Sequence, residues 1–198
     1  MIKAVIFDLN GVFVQSPRLS DRYAREFGVP TADFLPALKE VMGKVRRPGA
    51  GDSFLYWQPY LEKWGVKFNR EEFFKHWFEA EGGNLEMIEL AKKLKARGLK
   101  LFILSNNFAE RSEYYKQNFK FLDELFDKIY YSWQTGFVKS DDRAYKLVLE
   151  ENNLQPEECL FFDDSESNIE IAKSLGMKAF IFEGKEKTQE IIEIEKEK

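Results

Sequence analysis

Hydrophobic positions along the chain fall into five short, continuous runs. The runs are rich in Val, Ile, Leu and Phe, and each has the length of a strand that is buried on both faces. They cover Ala4–Leu9, Lys100–Leu104, Lys128–Tyr131, Leu160–Phe162 and Ala179–Phe182. The pattern therefore predicts five buried strands.

Helical patterns separate the later runs. Apolar residues at helical spacing from Leu85 to Leu94 lead to Gly98, and a second pattern from Ile169 leads to Gly176. Glycine just beyond the last apolar position is a common helix stop. Because strands that alternate with helices form parallel sheets, we expect an α/β fold with a Rossmann-like, five-stranded parallel sheet.

The interval after the first run is much longer than an ordinary strand-to-helix loop of ~2–6 residues. Its apolar spacing predicts helices over Leu19–Phe27, Thr31–Met42, Asp52–Trp64 and Asn69–Ala80. We interpret residues 15–83 as an inserted α-helical cap domain. Residues 1–14 and 84–198 then form the core domain, and Gly82-Gly83 serves as the flexible return to it.

Composition narrows the possible partners. Hydrophobic residues make up 44% of the chain and charged residues 32%, which is typical of a globular domain. The net charge of −4 gives no overall basic field, so we expect neither nucleic acid nor an anionic membrane as a partner. No apolar run approaches ~18 residues, and no secretory signal precedes the first strand. These features predict a cytoplasmic protein, with a monomer as the default state.

The chain has one cysteine, Cys159, and one histidine, His76. This excludes an internal disulfide and a multi-cysteine zinc site. Any mechanism that depends on histidine would have to use His76 alone. The candidate chemistry therefore falls to carboxylates.

Polar residues follow three of the predicted strands. Asp8 lies at the end of the first, Ser105 and Asn106 follow the second, and Asp163-Asp164 follows the fourth. If the first three strands progress in one direction, the fourth must begin on the other side of the first strand. Ligands bind at the carboxyl edge of such a sheet, where the strand order reverses. We therefore expect Asp163 and Asp164 beside Asp8.

Three carboxylates in one place repel and raise each other's pKa unless a cation lies between them. Oxygen ligands without cysteine or histidine suit Mg²⁺ better than a softer metal. Lys139, before the helix that leads to the fourth strand, and the Ser105 hydroxyl add donors for an anion. Together these groups predict a phosphoryl-transfer site.

The order of these motifs resembles the haloacid dehalogenase (HAD) superfamily, in particular phosphohydrolases with a small helical cap of the C1 type. The resemblance rests on FDLNGV, LSNN, Lys139 and FFDDSESN, and it covers nearly the whole chain. The cap stretch YWQPYLEKWG is similar to small sugar-phosphate phosphatases of this superfamily. The resemblance implies Mg²⁺-dependent hydrolysis of a small phosphorylated metabolite.

The resemblance also implies a role for each motif residue. Asp8 would attack phosphorus and form an aspartyl-phosphate, which water then hydrolyses. Ser105 and the backbone N–H of Asn106 would bind the phosphoryl oxygens, and Lys139 would neutralise charge and orient the nucleophile.

The metal ligands implied by the resemblance are Asp8, the backbone carbonyl of Asn10, Asp164, and Asp163 directly or through water. The family usually has aspartate at position 10, where it serves as general acid and base. An amide cannot carry that proton, and a general acid or base contributes about 10²–10⁴-fold. We therefore expect this chain to be inactive or impaired. We interpret Asn10 as an engineered substitution, with a natural variant of altered chemistry as the open alternative.

Two other functions fit parts of the pattern. A 2-haloacid dehalogenase would use Asp8 without a metal, which gives the Asp163-Asp164 pair little purpose. A non-catalytic module that binds phosphorylated ligands would explain Asn10 as a native residue. Arg46 and Arg47, in a predicted cap loop, are most simply solvated charges. If that loop faces the cleft, one of them could contact a second anionic group.

Overall fold

The computed structural model describes residues 1–197. The elements in chain order are β1 (Ala4–Phe7), β2 (Val14–Gln15), α1 (Leu19–Phe27), α2 (Thr31–Val45), α3 (Ser53–Lys63), α4 (Arg70–Phe78), β3 (Gly82–Gly83), α5 (Leu85–Ala96), β4 (Lys100–Ser105), α6 (Ala109–Asn118), α7 (Phe121–Leu125), β5 (Lys128–Tyr131), α8 (Ser132–Thr135), α9 (Arg143–Asn152), a 3₁₀ turn (Pro156–Glu158), β6 (Cys159–Asp163), α10 (Glu166–Ser174), β7 (Lys178–Ile181) and α11 (Lys185–Glu197). Over this range, no helix is both long enough and apolar enough to cross a membrane.

Five of the strands form one parallel sheet in the order β5-β4-β1-β6-β7. The chain builds outward from β1 to β4 and β5, then returns to the other side of β1 for β6 and β7. Phe7 at the end of β1 lies in register with Ile103 of β4 and Phe162 of β6. The α/β fold class and the five-stranded parallel sheet predicted from the sequence are confirmed.

Alternate strand residues face opposite helical layers, which explains the continuous apolar runs. Val5 and Phe7 pack in a core with residues of α5 and α11, including Ala91 and Ile192. Ile6, between them in β1, packs in the opposite core with residues of α9 and α10. Burial on both faces leaves the carboxyl ends of the strands as the place where polar side chains can meet.

Residues 16–81 contain the helices α1 to α4, which we call the helical insertion. Its own core is aromatic, with Tyr23, Phe34 and Trp57 almost fully buried. The same cluster includes Phe108, at the N-terminal end of α6, whose ring centroid lies 5.3 Å from that of Trp77. The helical insertion therefore packs directly against α6. Its description as a separate cap domain with bounds at 15 and 83 stays a prediction.

The two chain connections to the helical insertion run side by side. Val14 pairs with Gly83 and Gln15 with Gly82 in an antiparallel two-stranded ribbon. Asn84 strengthens this ribbon, because its side-chain amide donates to the Val12 carbonyl at 2.9 Å. The Gly82-Gly83 return is thus a paired strand at the foot of the helical insertion.

Candidate active site

Asp8, Asp163 and Asp164 converge at the carboxyl edge of the sheet. Each offers a carboxylate oxygen, and these oxygens lie within 4.8 Å of one another. The cause is the parallel pairing of β1 with β6, which continues past Phe7 through a 2.8 Å bond from the Asp8 amide to the Phe162 carbonyl. An all-oxygen set of this kind fits a hard divalent cation such as Mg²⁺.

Lys139 is buried between two of these carboxylates. Its Nζ lies 2.7 Å from Asp8 Oδ1 and 2.6 Å from Asp163 Oδ2. The backbone around it is held by Asn106, whose side-chain oxygen accepts from the Lys139 amide, and by Tyr145, whose hydroxyl donates to the Lys139 carbonyl. Burial lowers the pKa of the Lys139 ammonium, but the Asp8 and Asp163 carboxylates outweigh it and raise that pKa overall. Lys139 therefore stays charged.

The two oxygens of Asp8 differ in their surroundings. Oδ1 accepts from the Leu9 amide at 2.7 Å and faces Lys139, whereas no described residue donates a hydrogen bond to Oδ2. Burial raises the pKa of the Asp8 carboxyl to about 6, with a further contribution from Asp163, while Lys139 opposes the shift. Oδ2 is therefore the oxygen that can attack an electrophile or coordinate a cation.

Asp163 and Asp164 also differ. Asp163 is fully buried, and its Oδ1 accepts from the Ser165 amide at 2.8 Å and from the Asn168 side chain at 3.0 Å. Its other oxygen is held by Lys139. Asp164 is the most exposed of the three and has no such bonds from described side chains; partial desolvation of its carboxyl and the neighbouring Asp163 raise its pKa. Asp164 is thus the more available ligand, and Asp163 is the more tightly positioned one.

Gly11 allows Asp164 to approach the turn after β1. The residue has a φ of +90°, and a Cβ placed on it would lie 2.8 Å from Asp164 Oδ2. Both observations require glycine at this position. In the same turn, no described residue donates to the Asn10 carbonyl oxygen, so this oxygen is available to a cation.

Ser105 ends β4, the neighbour of β1 on the side opposite β6. Its hydroxyl is buried and has no hydrogen-bond partner in the described part of the chain. The turn that follows is fixed by Ser132, whose hydroxyl accepts from the Asn107 amide and donates to the Asn107 carbonyl, both at 3.1 Å. An oxyanion placed above the sheet edge would give the Ser105 hydroxyl the acceptor it lacks.

The Asn10 side chain belongs to a buried network that sequence reasoning missed. Its amide donates to the Tyr115 hydroxyl at 2.6 Å. Arg111 on α6 pairs with Glu81, Nη2 lying 2.6 Å from Oε1, and both side chains are buried beside Tyr115. Burial and the Glu81 carboxylate raise the pKa of Tyr115 well above its usual range. The available signal was the spacing of Arg111 and Tyr115, four apart on the helix that follows LSNN; Glu81 gave none.

The direction of these hydrogen bonds suits an amide. The Tyr115 oxygen accepts from Asn10, which leaves the phenolic proton to point at Glu81. An ionised carboxylate at position 10 could not donate to the tyrosine in this way. The network therefore supports the orientation of Asn10 while supplying no proton from position 10 itself.

Arg46 and Arg47 separate in the structure. Arg47 is exposed, as expected for a loop charge, whereas Arg46 is only partly exposed and its Nε is buried. Burial and the nearby Arg111 lower the pKa of Arg46 to about 10, and the Asp8 carboxylate opposes that shift. The guanidinium of Arg46 therefore lies close enough to interact electrostatically with Asp8 and Arg111.

Cys159 and His76 serve packing. Cys159 is fully buried at the start of β6, and burial raises the pKa of its thiol to about 12. His76 Nε2 lies 2.6 Å from a carboxylate oxygen of Glu26 and contributes to the aromatic cluster of the helical insertion. Neither residue reaches the carboxylate cluster.

Comparisons with known proteins find relatives that match most of this chain. Pig (Sus scrofa) bifunctional epoxide hydrolase 2 is 28% identical over 197 residues, which cover 89% of this chain and 35% of that protein. The chain thus spans little more than a third of the length of that relative. D-ribitol-5-phosphate phosphatase from Bacteroides thetaiotaomicron is 28% identical over 193 residues, and the match covers 91% of each chain.

Solved structures agree at the level of the fold. A HAD family enzyme from Bacteroides thetaiotaomicron, in complex with magnesium and inorganic phosphate, superposes with a TM-score of 0.74 at 21% identity, covering 91% of this chain and 94% of that chain. The family model of haloacid dehalogenase-like hydrolases matches residues 2–176. On these grounds, together with the site geometry, the chain belongs to the haloacid dehalogenase-like hydrolases.

Proposed function

We propose that the chain has the machinery of a Mg²⁺-dependent phosphatase that hydrolyses a small phosphorylated metabolite of the sugar-phosphate class. The observation that carries the proposal is the environment of Asp8: its Oδ1 is held by Leu9 and Lys139, its Oδ2 accepts from no described residue, and its carboxyl belongs to a cluster of three. The similarity to a sugar-alcohol phosphate phosphatase over most of both chains supports the substrate class.

In this proposal Asp8 Oδ2 attacks phosphorus, and the resulting aspartyl-phosphate is hydrolysed by water. The bonds to Oδ1 fix the carboxylate so that only Oδ2 is presented. The Ser105 hydroxyl and the Asn106 backbone N–H donate to the phosphoryl oxygens, and Lys139 neutralises charge on the nucleophile.

The residues that would hold Mg²⁺ are Asp8, the Asn10 carbonyl and Asp164, with Asp163 bound directly or through water. The bound ion would screen the negative charges of phosphate and nucleophile from each other. Among the described residues, Lys139 is the one cation that forms ion pairs with these three carboxylates, so the cluster has an excess of negative charge that fits a divalent cation. The helical insertion would act as the cap that excludes water from the cleft.

Asn10 is the reason to expect an impaired enzyme. The amide preserves the size of aspartate and the backbone carbonyl, so metal binding should survive. It cannot protonate the leaving oxygen or activate water, which predicts a loss of about 10²–10⁴-fold. We propose that this form is inactivated at position 10, as in a chain substituted to trap a ligand.

The test is phosphate release with Mg²⁺ from a panel of phosphorylated metabolites, by the parent and by Asn10→Asp. We expect the variant to be faster by about 10²–10⁴-fold. Asp8→Asn in the Asn10→Asp background is the control, and it should abolish release. An Asn10→Asp variant no faster than the parent would contradict the proposal.

The same assays separate the alternatives. Removal of Mg²⁺ with a chelator should abolish the activity of Asn10→Asp, whereas carbon–halogen hydrolysis by Asp8 would persist without metal. If metabolites bind tightly and Asn10→Asp still shows no turnover, the chain is a binding module. The bond from the Asn10 amide to the Tyr115 hydroxyl favours this second function, because it gives an amide at position 10 a partner of its own.

A further inference from the structure

Arg46 caps the C-terminal end of α2 and lines a cavity together with Asn106 and Val138. The residue is partly exposed, but its Nε is buried and has no hydrogen-bond partner among residues 1–197. No described carboxylate forms an ion pair with it. A buried guanidinium N–H without an acceptor is unfavourable for folding, so its position calls for an explanation.

The charges around Arg46 do not supply that explanation. Asp8 attracts the guanidinium and Arg111 repels it, but Asp8 is already bound by Lys139, and Arg111 is held by Glu81. Arg46 is therefore a second cation at the site, in addition to Lys139. A single phosphoryl group engaged by Lys139, Ser105 and Mg²⁺ does not require it.

A cavity of about 530 Å³ lies beside Arg46. Residues of α2 form one side, including Leu38 and Met42, and the opposite side contains Asn106 and Val138. Asn106 belongs to the proposed phosphoryl site, so the cavity leads away from it along α2. None of the described residues that line this cavity is acidic, and its polar groups are predominantly cationic.

We propose that Arg46 binds a second anionic group, a carboxylate or a phosphate, on the leaving group of the substrate. The inference deepens the proposed function and rests on it: the substrate class becomes a small phosphomonoester with a second negative charge. The planar guanidinium matches both anions through paired hydrogen bonds. The second anion would supply the acceptor that Nε lacks and would lie away from the carboxylate cluster.

The experiment measures dissociation constants by calorimetry on the full chain with Mg²⁺, in which Asn10 keeps turnover slow. Two matched pairs of probes are used. 3-Phosphoglycerate and glycerol 3-phosphate differ by a carboxylate, and glucose 1,6-bisphosphate and glucose 6-phosphate differ by a phosphate. In at least one pair, the compound with the second anion should bind about 10- to 100-fold more tightly, as expected for a charged hydrogen-bonded pair.

Two arginines provide the variant and its control. Arg46→Gln should abolish the preference for the second anion, and Arg25→Gln, the same charge change at a side chain that is 70% exposed and lies outside the cavity, should retain it. Inorganic phosphate serves as the reference probe, and its affinity should be unchanged in both variants. If Arg46→Gln fails to fold, Arg46→Lys carries the test, and it should reduce the preference without changing the affinity for phosphate.

The contrary outcomes are distinct. If the parent binds phosphate but shows no preference in either pair, the second-anion site is wrong and the proposed function stands. If Arg46→Gln weakens the binding of inorganic phosphate as much as the binding of the second-anion compounds, Arg46 contacts the transferred phosphoryl group. This result also overturns the inference. If the parent does not bind phosphate with Mg²⁺ at all, the proposed function and the inference fail together.

Discussion

Two arginines lie near the carboxylate cluster and near each other, and their surroundings are opposite. Arg111, on α6, is buried, pairs with Glu81 at 2.6 Å and lies over the rings of Trp77 and Tyr115, 6.0 and 5.5 Å from their centroids. Arg46, at the end of α2, has neither an ion pair nor an acceptor for its Nε among the described residues. The two side chains share a chemistry but not a role.

An ion pair within the protein stabilises the fold, whereas a buried charge without such a partner is available to bind a ligand. Arg111 and Glu81 form an ion pair, and this pair connects α6 to the residue that precedes the Gly82–Gly83 strand. Their pairing therefore holds the helical insertion in place against the core. A buried charge that the chain does not satisfy contributes nothing of this kind, and the natural place for its counter-charge is a ligand.

Removal of the Glu81 charge gives the largest expected effect. Glu81→Gln keeps the size of the side chain but leaves Arg111 buried and unpaired, which should destabilise the protein by about 3–5 kcal/mol. The free energy of unfolding in urea measures the change. Glu79→Gln, at a side chain that is 61% exposed, is the control and should stay within about 0.5 kcal/mol. Equal stability of the two variants would show that the Arg111 pair is not architectural.

The second prediction concerns the Tyr115 hydroxyl, which lies beside the Arg111–Glu81 pair. Tyr115→Phe removes the acceptor for the Asn10 amide, and a buried donor without a partner costs about 1–3 kcal/mol. Tyr23→Phe is a matched control, because the Tyr23 hydroxyl is buried without a hydrogen-bond partner in the described chain. That control should be neutral or stabilising in urea unfolding. A Tyr115→Phe change no larger than the control would remove Tyr115 from the network.

The position of the three carboxylates could be predicted from the sequence, because each strand end is identified by a short local pattern. Apolar runs identify buried strands, and the alternation of strands with helices makes them parallel. Chain order then requires Asp163 to lie beside Asp8, and β1 and β6 have this arrangement. The structure changed element ends only slightly; for example, α2 continues beyond Met42 to Val45.

The Arg111–Glu81 pair could not be predicted from the sequence, because its two residues are far apart along the chain. Glu81 meets Arg111 across 30 residues of sequence, and this depends on how the helical insertion packs on α6. The two-residue strands β2 and β3 are too short to show a period-2 pattern. Arg46 and Arg47 are identical in type and adjacent, so only packing of the loop after α2 decides which one is buried.

Arg46→Gln should have the smallest effect on the free energy of unfolding, and it tests the contrast between Arg46 and Arg111 most directly. Without ligand, Arg46→Gln should change the free energy of unfolding by less than about 0.5 kcal/mol, or stabilise the protein, because it removes a buried charge and breaks no pair. Arg111→Gln makes the same substitution in the Arg111–Glu81 pair. It leaves the Glu81 carboxylate buried without its cation and should lower the free energy of unfolding by about 3–5 kcal/mol.

Urea unfolding of the two variants and the parent measures this difference directly. If Arg46→Gln were as destabilising as Arg111→Gln, Arg46 would have a structural partner after all, and the contrast between the two arginines would fail. A near-zero change for Arg46 would instead mean that folding alone gives no reason to bury this charge. Its position would then be explained by what the cleft binds, since a ligand that pairs with Arg46 stabilises only the folded chain.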